Sequence, residues 1–385
     1  METEALLFSM IRSVICGHPT ETQIAACTED ELTAVYALAR KHDLGHFVGQ
    51  AFSALQLPDC PIVAAGKKAI ISAFTRSVQQ EHAFSCISKA FEEAKIPYIP
   101  LKGLVLREHY PESWMRTSSD LDILVPPEDL ERACAILTDT LNYQFCKRSS
   151  HDVAFRSPER VYLELHYSTI EDFISKEAAA LMSSVWEKAT PVTGFAYRLQ
   201  LPDDLFYYYH MAHAAKHFLG GGSGVRAILD IWVLENLVPH DRRQREALLV
   251  KGGMLPFAIA AEKLSRIWFD GESPDPMSQL MGEFILTGGN FGTLQNRVSI
   301  NQSRKGGKCK YALSRIFLPY SILQYYYPIL QKRKFLFPVY QVVRWCKLLF
   351  RGGASRSMEE LQTNAGVTPE QKQTATALLN YLQLR

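Results

Sequence analysis

Two carboxylates set two residues apart inside an apolar run, Asp120-Leu121-Asp122-Ile123-Leu124-Val125, constrain this chain more than any other stretch. The run reads as a buried strand, and a pleat of period 2 turns both acids to one face. Like charges side by side at the edge of a core need a cation. Mg²⁺ meets that need with oxygen ligands from one or two carboxylates and keeps positions for water and nucleotide phosphates. Mn²⁺ is a possible substitute. Two such ions held together can clamp the attacking and leaving oxygens of an in-line displacement at phosphorus.

The residues before this strand supply what a phosphorylated substrate requires. Residues 96–101 read as a strand edged by Pro97 and Pro100, and Gly103 is expected to turn the backbone sharply into a helix from about Leu104. The first amides of that helix would point outward at the positive end of its dipole, which suits a triphosphate. Lys102 adds a full charge. Arg116 offers a planar fork for a phosphate oxygen. Downstream, in residues 161–167, Val161, Leu163 and Leu165 share one face of a strand, and Tyr162, Glu164 and His166 share the other.

An apolar strand, Gly103, a helix and then Asp120-x-Asp122 in a second apolar strand resemble the DNA polymerase β-type nucleotidyltransferase superfamily. More narrowly, Leu101-Lys102-Gly103 followed by Arg116-x-x-Ser119-Asp120-Leu121-Asp122-Ile123-Leu124-Val125 resembles a bacterial family of uncharacterised nucleotidyltransferases. The superfamily shows Gly-Gly or Gly-Ser at the turn, where this chain has Gly103-Leu104. The resemblance implies a third carboxylate on a later strand, and Glu164 is the candidate. It would complete a catalytic and metal-binding set of Asp120, Asp122 and Glu164 and draw a proton from an incoming hydroxyl. His166, one pleat further along, is a candidate contact for acceptor or phosphate.

The rest of the chain is read as helical. Leu6, Leu7, Met10, Ile11 and Val14 recur at helical spacing, and Thr28-Glu29-Asp30-Glu31 opens another helix as a good cap. A long helix is expected over 63–94, with Phe84, Ile87 and Phe91 on the stripe that packs on the sheet. His42 and His46 read as surface or interface groups. Pro127 and its acids start a helix after the acidic strand, and three short strands follow at 143–147, 152–156 and 160–167. The fold expected is α+β: a small mixed sheet flanked by helical regions, divided as 1–95, a core at 96–170, a helical domain closing the cleft at 171–300, and an extension at 301–385.

The helix expected over 203–218 carries His210, His213 and His217 on one side with Lys216 beside them. They are candidates to line the cleft and touch phosphate or acceptor; His213 and His217 as a metal pair, or histidines satisfied at an interface, are the alternatives. Gly220 to Gly224 reads as a hinge before a helix bearing Arg226, a further candidate contact, and Asp230 one turn on. Residues 303–310 read as a mobile basic loop. The aromatic and basic stretch 317–350 is broken by Pro319, Pro328 and Pro338, so it cannot be one spanning helix. From Pro338 on it suits either an interfacial amphipathic helix or packing on the body. Gly352-Gly353 is expected to close it, and Thr368-Pro369-Glu370 to begin a terminal helix.

A formal charge of +2 over 385 residues says nothing about nucleic acid, and no DNA-binding signature is present. Eight cysteines without close pairing read as reduced thiols, not as a disulfide frame or a zinc site. No apolar run reaches eighteen residues and no basic leader precedes a long hydrophobic segment, so a cytoplasmic protein without an integral membrane span is expected. The activity expected from these residues and the resemblance is Mg²⁺-dependent transfer of a nucleoside monophosphate from an NTP such as ATP to a small molecule, peptide or RNA, with release of pyrophosphate. The rivals are a toxin-like transferase acting on transfer RNA, an antibiotic-modifying transferase, a catalytically lapsed nucleotide-binding regulator, and a helical interaction protein.

Overall fold

Alternation along five short segments builds a mixed sheet in the order β1-β2-β5-β4-β3. The strands are β1 (Ile99–Pro100), β2 (Asp120–Leu124), β3 (Gln144–Arg148), β4 (Asp152–Arg156) and β5 (Tyr162–His166). β2 and β5 run parallel, and the other neighbours are antiparallel. The computed structural model describes residues 3–16, 27–58, 60–169, 176–350 and 354–384. Two compact units emerge, one of Met1–Ala214 with Val225–Pro274, the other of Ala215–Gly224 with Asp275–Arg385.

In the first unit, helices α1 (Thr3–Ile15), α2 (Glu29–Lys41), α3 (Gly45–Ala54) and α4 (Pro61–Glu93) precede the sheet. The cap expected at residues 28–31 is a full capping box between Thr28 and Glu31. One face of the sheet is apolar: Leu121, Ile123, Leu163, Leu165, Val153 and Phe155 pack with Ile87 and Phe91 of α4 and with Leu130, Ala133 and Leu137. Burying a large apolar side chain of this kind contributes about 1.5–3 kcal/mol. That cost fixes the register, because a one-residue slip would drive the acids into this core. Phe84, expected on the same stripe, packs against the cluster while half-buried. His42 and His46 are buried, and His46 donates from Nε2 to the Met115 carbonyl at 2.7 Å.

Between β1 and β2 lie a four-residue helix, α5 (Gly103–Leu106), and two 3-10 turns, Arg107–His109 and Ser113–Met115, and after β2 comes α6 (Leu130–Ala135). A two-stranded ribbon of β6 (Thr190–Pro191) and β7 (Leu199–Gln200) follows α7 (Lys176–Ser183) and α8 (Val185–Lys188). Glu92 of α4 ties this ribbon down by accepting the amides of Ala196, Tyr197 and Arg198 at 2.9–3.1 Å. The helical turn expected from about Glu171 lies partly outside the described residues. Then come α9 (Asp203–Leu219), α10 (Gly224–Asn236), α11 (Arg242–Lys251) and α12 (Leu255–Phe269).

The second unit contains α13 (Pro276–Gly288), α14 (Leu294–Lys305), α15 (Lys308–Ile316), α16 (Tyr320–Tyr326), α17 (Ile329–Lys332), α18 (Phe337–Phe350), α19 (Ala354–Gly366) and α20 (Pro369–Tyr381). The basic stretch 303–310, expected as a mobile loop, is mostly helical. α14 and α15 occupy it except at Gly306 and Gly307, whose φ angles of +80° and +126° make the break. Those two glycines supply the left-handed backbone that reverses the chain, and the lysines around them remain helical. Gly352-Gly353 lies outside the described residues.

Candidate active site

The face of the sheet turned away from α4 carries the chemistry. Register lines up three rows across it: Asp120, Tyr162, Arg156 and Gln144; Asp122, Glu164, Ala154 and Lys147; Leu124, His166 and Asp152. The pleat anticipated from the sequence therefore sets Asp122 directly beside Glu164, with His166 two residues on. A ligating atom from each of Asp122, Glu164 and His166 lies within 4.8 Å of the other two. Asp120 stands outside that trio. Its carboxylate accepts the hydroxyls of Ser118 and Ser119, both at 3.2 Å.

Asp122 is the electrostatic centre. Its Oδ1 accepts Lys102 Nζ at 2.7 Å and His166 Nε2 at 2.7 Å. Burial works to raise this carboxyl, but the Lys102 charge and the His166 hydrogen bond outweigh it and hold Asp122 well below the usual carboxylate range. Asp122 pulls Lys102 upward in return, against the cost of burial. Glu164 has no such cation. Burial and the charges of Asp122 and Asp120 push it up to about 7. A fifth of its side chain reaches solvent, while that of Asp122 is 2% exposed.

The backbone turn differs from expectation. The left-handed residue is Lys102, at φ +45°, and Gly103 is needed for a different reason: a Cβ there would meet Ser118 Cβ and Oγ at 3.0 Å. The helix amides expected to stay unpaired are also engaged. Leu104 N donates to the Leu101 carbonyl and Val105 N to the Lys102 carbonyl, because α5 is too short and tightly wound to leave them open. Arg116 is committed elsewhere. Its Nε and Nη2 bond both oxygens of Asp230 at 2.6 and 2.8 Å, and its Nη1 bonds the Thr117 carbonyl at 2.5 Å.

Arg226 likewise bonds Asp43 at 2.9 Å and the Thr117 carbonyl at 3.1 Å. His210 is buried beside Asp230. His213 packs its ring on Tyr209 at 6.2 Å between centroids. Lys216 and His217 fall in the second compact unit.

Tyr209 is the residue that the sequence reading passed over. It is buried, and its phenol lies within electrostatic reach of Lys102, Asp122 and Glu164; burial raises it well above an ordinary phenol. The available signal was its position four residues before His213, on one helical stripe.

A family description, Uncharacterised nucleotidyltransferase, matches residues 28–270, which include every strand of this sheet and the whole acidic face. The chain belongs to that family. No curated protein and no solved structure matches it. The enzyme is thus a transferase, a nucleotidyltransferase whose family membership implies a nucleotide substrate. Among the described residues no helix is long and apolar enough to cross a membrane.

The site fits a divalent cation. In the nucleotidyltransferase, Glu164 is short of positive charge, and His166 Nδ1 is buried with no hydrogen-bond partner among the described residues. Two carboxylates suit Mg²⁺ as hard oxygen donors, and the added imidazole extends the set to Mn²⁺.

Proposed function

We propose that this nucleotidyltransferase moves a nucleoside monophosphate from an NTP to an acceptor hydroxyl in a reaction that depends on Mg²⁺. The observation that carries the proposal is the pairing of Asp122 with Glu164 across β2 and β5, beside Lys102, on the sheet face that solvent reaches through Glu164. Asp122 and Glu164, with His166 and Asp120 beside them, would hold the cation. When bound, it would neutralise charge on the phosphates and on the departing pyrophosphate.

The remaining work belongs to the side chains. Lys102, bonded to Asp122 at 2.7 Å, would offer its ammonium to the phosphate oxygens. Glu164 accepts the proton of the acceptor hydroxyl as its oxygen bonds to the α-phosphorus. The bond from that phosphorus to the bridging oxygen breaks, and pyrophosphate leaves. Asp120, fixed by Ser118 and Ser119, adds negative charge that favours a cation over a proton at this face. Positioning and charge neutralisation account for most of the catalysis.

The test supplies each α-labelled NTP with Mg²⁺ and a cell extract and follows label onto RNA, protein or small molecules. Asp122→Asn and Glu164→Gln are each expected to abolish transfer, the second without disturbing the Lys102 pair. Full activity in Glu164→Gln refutes the assignment. A second reading, a nucleotide-binding regulator, is favoured by the engaged amides of Leu104 and Val105. It predicts a Mg²⁺-dependent thermal shift with nucleotide and no transfer to any acceptor.

A further inference from the structure

Charge is distributed unevenly along this chain. The stretch between Glu283 and Glu359 holds thirteen of the 42 Lys and Arg residues and none of the 40 Asp and Glu residues. This stretch lies in the second unit and beyond the residues that the family description matches. Its apolar side chains divide into two sets. Leu318, Leu323 and Leu330 are buried together, with Tyr320, Tyr327 and Phe337 packed around them. A second set faces out: Phe335 is 75% exposed, Val339 54% and Val342 51%.

The outward set is ordered. Phe335, in the short 3-10 turn just before α18, is followed by Val339, Val342 and Cys346 of α18 at spacings of four, three and four, and all four are exposed, so an apolar stripe faces solvent. Lys332, Arg333 and Lys334 stand exposed immediately before that stripe, and Lys347 stands exposed at its far end. Lys334 lies over the Tyr320 ring at 5.9 Å and Lys347 over the Tyr327 ring at 4.7 Å, so the cations are held next to the small aromatic core.

We propose that this face docks on the surface of a bilayer rich in anionic lipid, with α18 lying in the headgroup plane and Phe335, Val339 and Val342 inserted between acyl chains. The 14 residues of α18 are too few to span a hydrocarbon core, which needs about 20. They suit an interfacial helix, whose binding combines buried apolar area with attraction between cations and anionic headgroups. The same charge would also attract RNA. RNA recognition, however, gains from guanidinium and aromatic planes and not from exposed valines, so the stripe favours lipid.

Flotation of the full-length chain with phosphatidylcholine vesicles containing phosphatidylglycerol, against phosphatidylcholine alone, tests this. Binding is expected to the anionic vesicles only and to weaken as salt rises. Phe335→Ser with Val339→Ser keeps the charge and is expected to lower vesicle affinity at least tenfold. Lys332→Gln with Arg333→Gln and Lys334→Gln is expected to lower it roughly 100-fold. These residues are exposed, so unchanged circular dichroism is the check on folding. Absence of binding to the anionic vesicles overturns the proposal. So does binding that Phe335→Ser with Val339→Ser leaves unchanged while single-stranded RNA displaces the vesicles, an outcome that assigns the face to polyanions in general.

Discussion

Replacing Asp230 tests whether the loop leading into the acidic strand is held by one buried ion pair. Arg116 and Asp230 meet through two parallel hydrogen bonds at 2.6 and 2.8 Å, with side-chain exposures of 9% and 1%. Tyr110 Oη donates a third bond to the same carboxylate at 2.6 Å. Asp230→Asn removes the negative charge and leaves a guanidinium buried without compensation. Breaking a buried pair on one side costs about 3–5 kcal/mol. For a cooperative unit of this size that lowers the melting temperature by on the order of 10 °C. Arg116→Met with Asp230→Leu removes both charges, and the loss is expected to be smaller than for Asp230→Asn alone. Arg116→Lys keeps the charge but loses the fork, so it is expected to destabilise while the KM for nucleotide, measured well below the transition, stays unchanged. Circular dichroism melts and steady-state kinetics on these variants decide the matter. A selective rise in KM in Arg116→Lys at unchanged stability would refute the argument and return Arg116 to the phosphate. So would effects of Arg116→Met and Asp230→Leu, each made alone, that add in the double variant to within about 0.5 kcal/mol.

Two further predictions concern pH and metal. Burial lowers His46 from its ordinary range to about 4, so the unfolded chain takes up a proton near pH 6.5 that the folded chain refuses. Stability is therefore full above pH 6.5 and falls as pH drops towards 4, by about 2 kcal/mol between pH 6.5 and 5; urea melts of His46→Gln, which retains a donor for Met115, are expected to lack this share of the slope, and parallel curves for the two proteins would contradict it. Lys102→Met removes the internal cation of Asp122, so Mn²⁺ alone, titrated calorimetrically, is expected to bind at least tenfold more tightly while nucleotide binds more weakly. Weaker Mn²⁺ binding in that variant would show that Lys102 supports the cation site and does not compete with it.

The acidic face was legible because it is written in local period. Alternation at 120–125 and 161–167 assigns Asp122, Glu164 and His166 to one side with no knowledge of the partner strands, and the register then brings them together. The apolar stripe of α4 was legible for the same reason at a period of 3.6. What escaped has long range or no period. Arg116 and Asp230 are 114 residues apart, and nothing near Arg116 says that its fork will be filled. The helices α14 and α15 were hidden because Gly306-Gly307, flanked by lysines, looks like a loop, although only the two glycines leave helical geometry. The turn before α5 misled in a subtler way. A glycine next to a lysine invites the strained angle onto the glycine, yet the tight contact with Ser118 demands glycine at 103 and leaves Lys102 in the left-handed region.

That displacement of strain onto Lys102 has an electrostatic counterpart. Of the buried carboxylates around the sheet and α10, Asp122 has Lys102 and Asp230 has Arg116, each at hydrogen-bond distance. Both therefore remain ionised inside the protein. Glu164 sits between Asp122 and solvent without an equivalent cation, and its carboxyl rises to about 7. The unmet demand for positive charge is concentrated at the one member of the trio that solvent reaches. A cation arriving from solvent with a nucleotide would meet Glu164 first, and Asp122 only by sharing it with Lys102. Competition between proton and metal at Glu164, set by pH and metal concentration, would then decide what the face holds when substrate arrives.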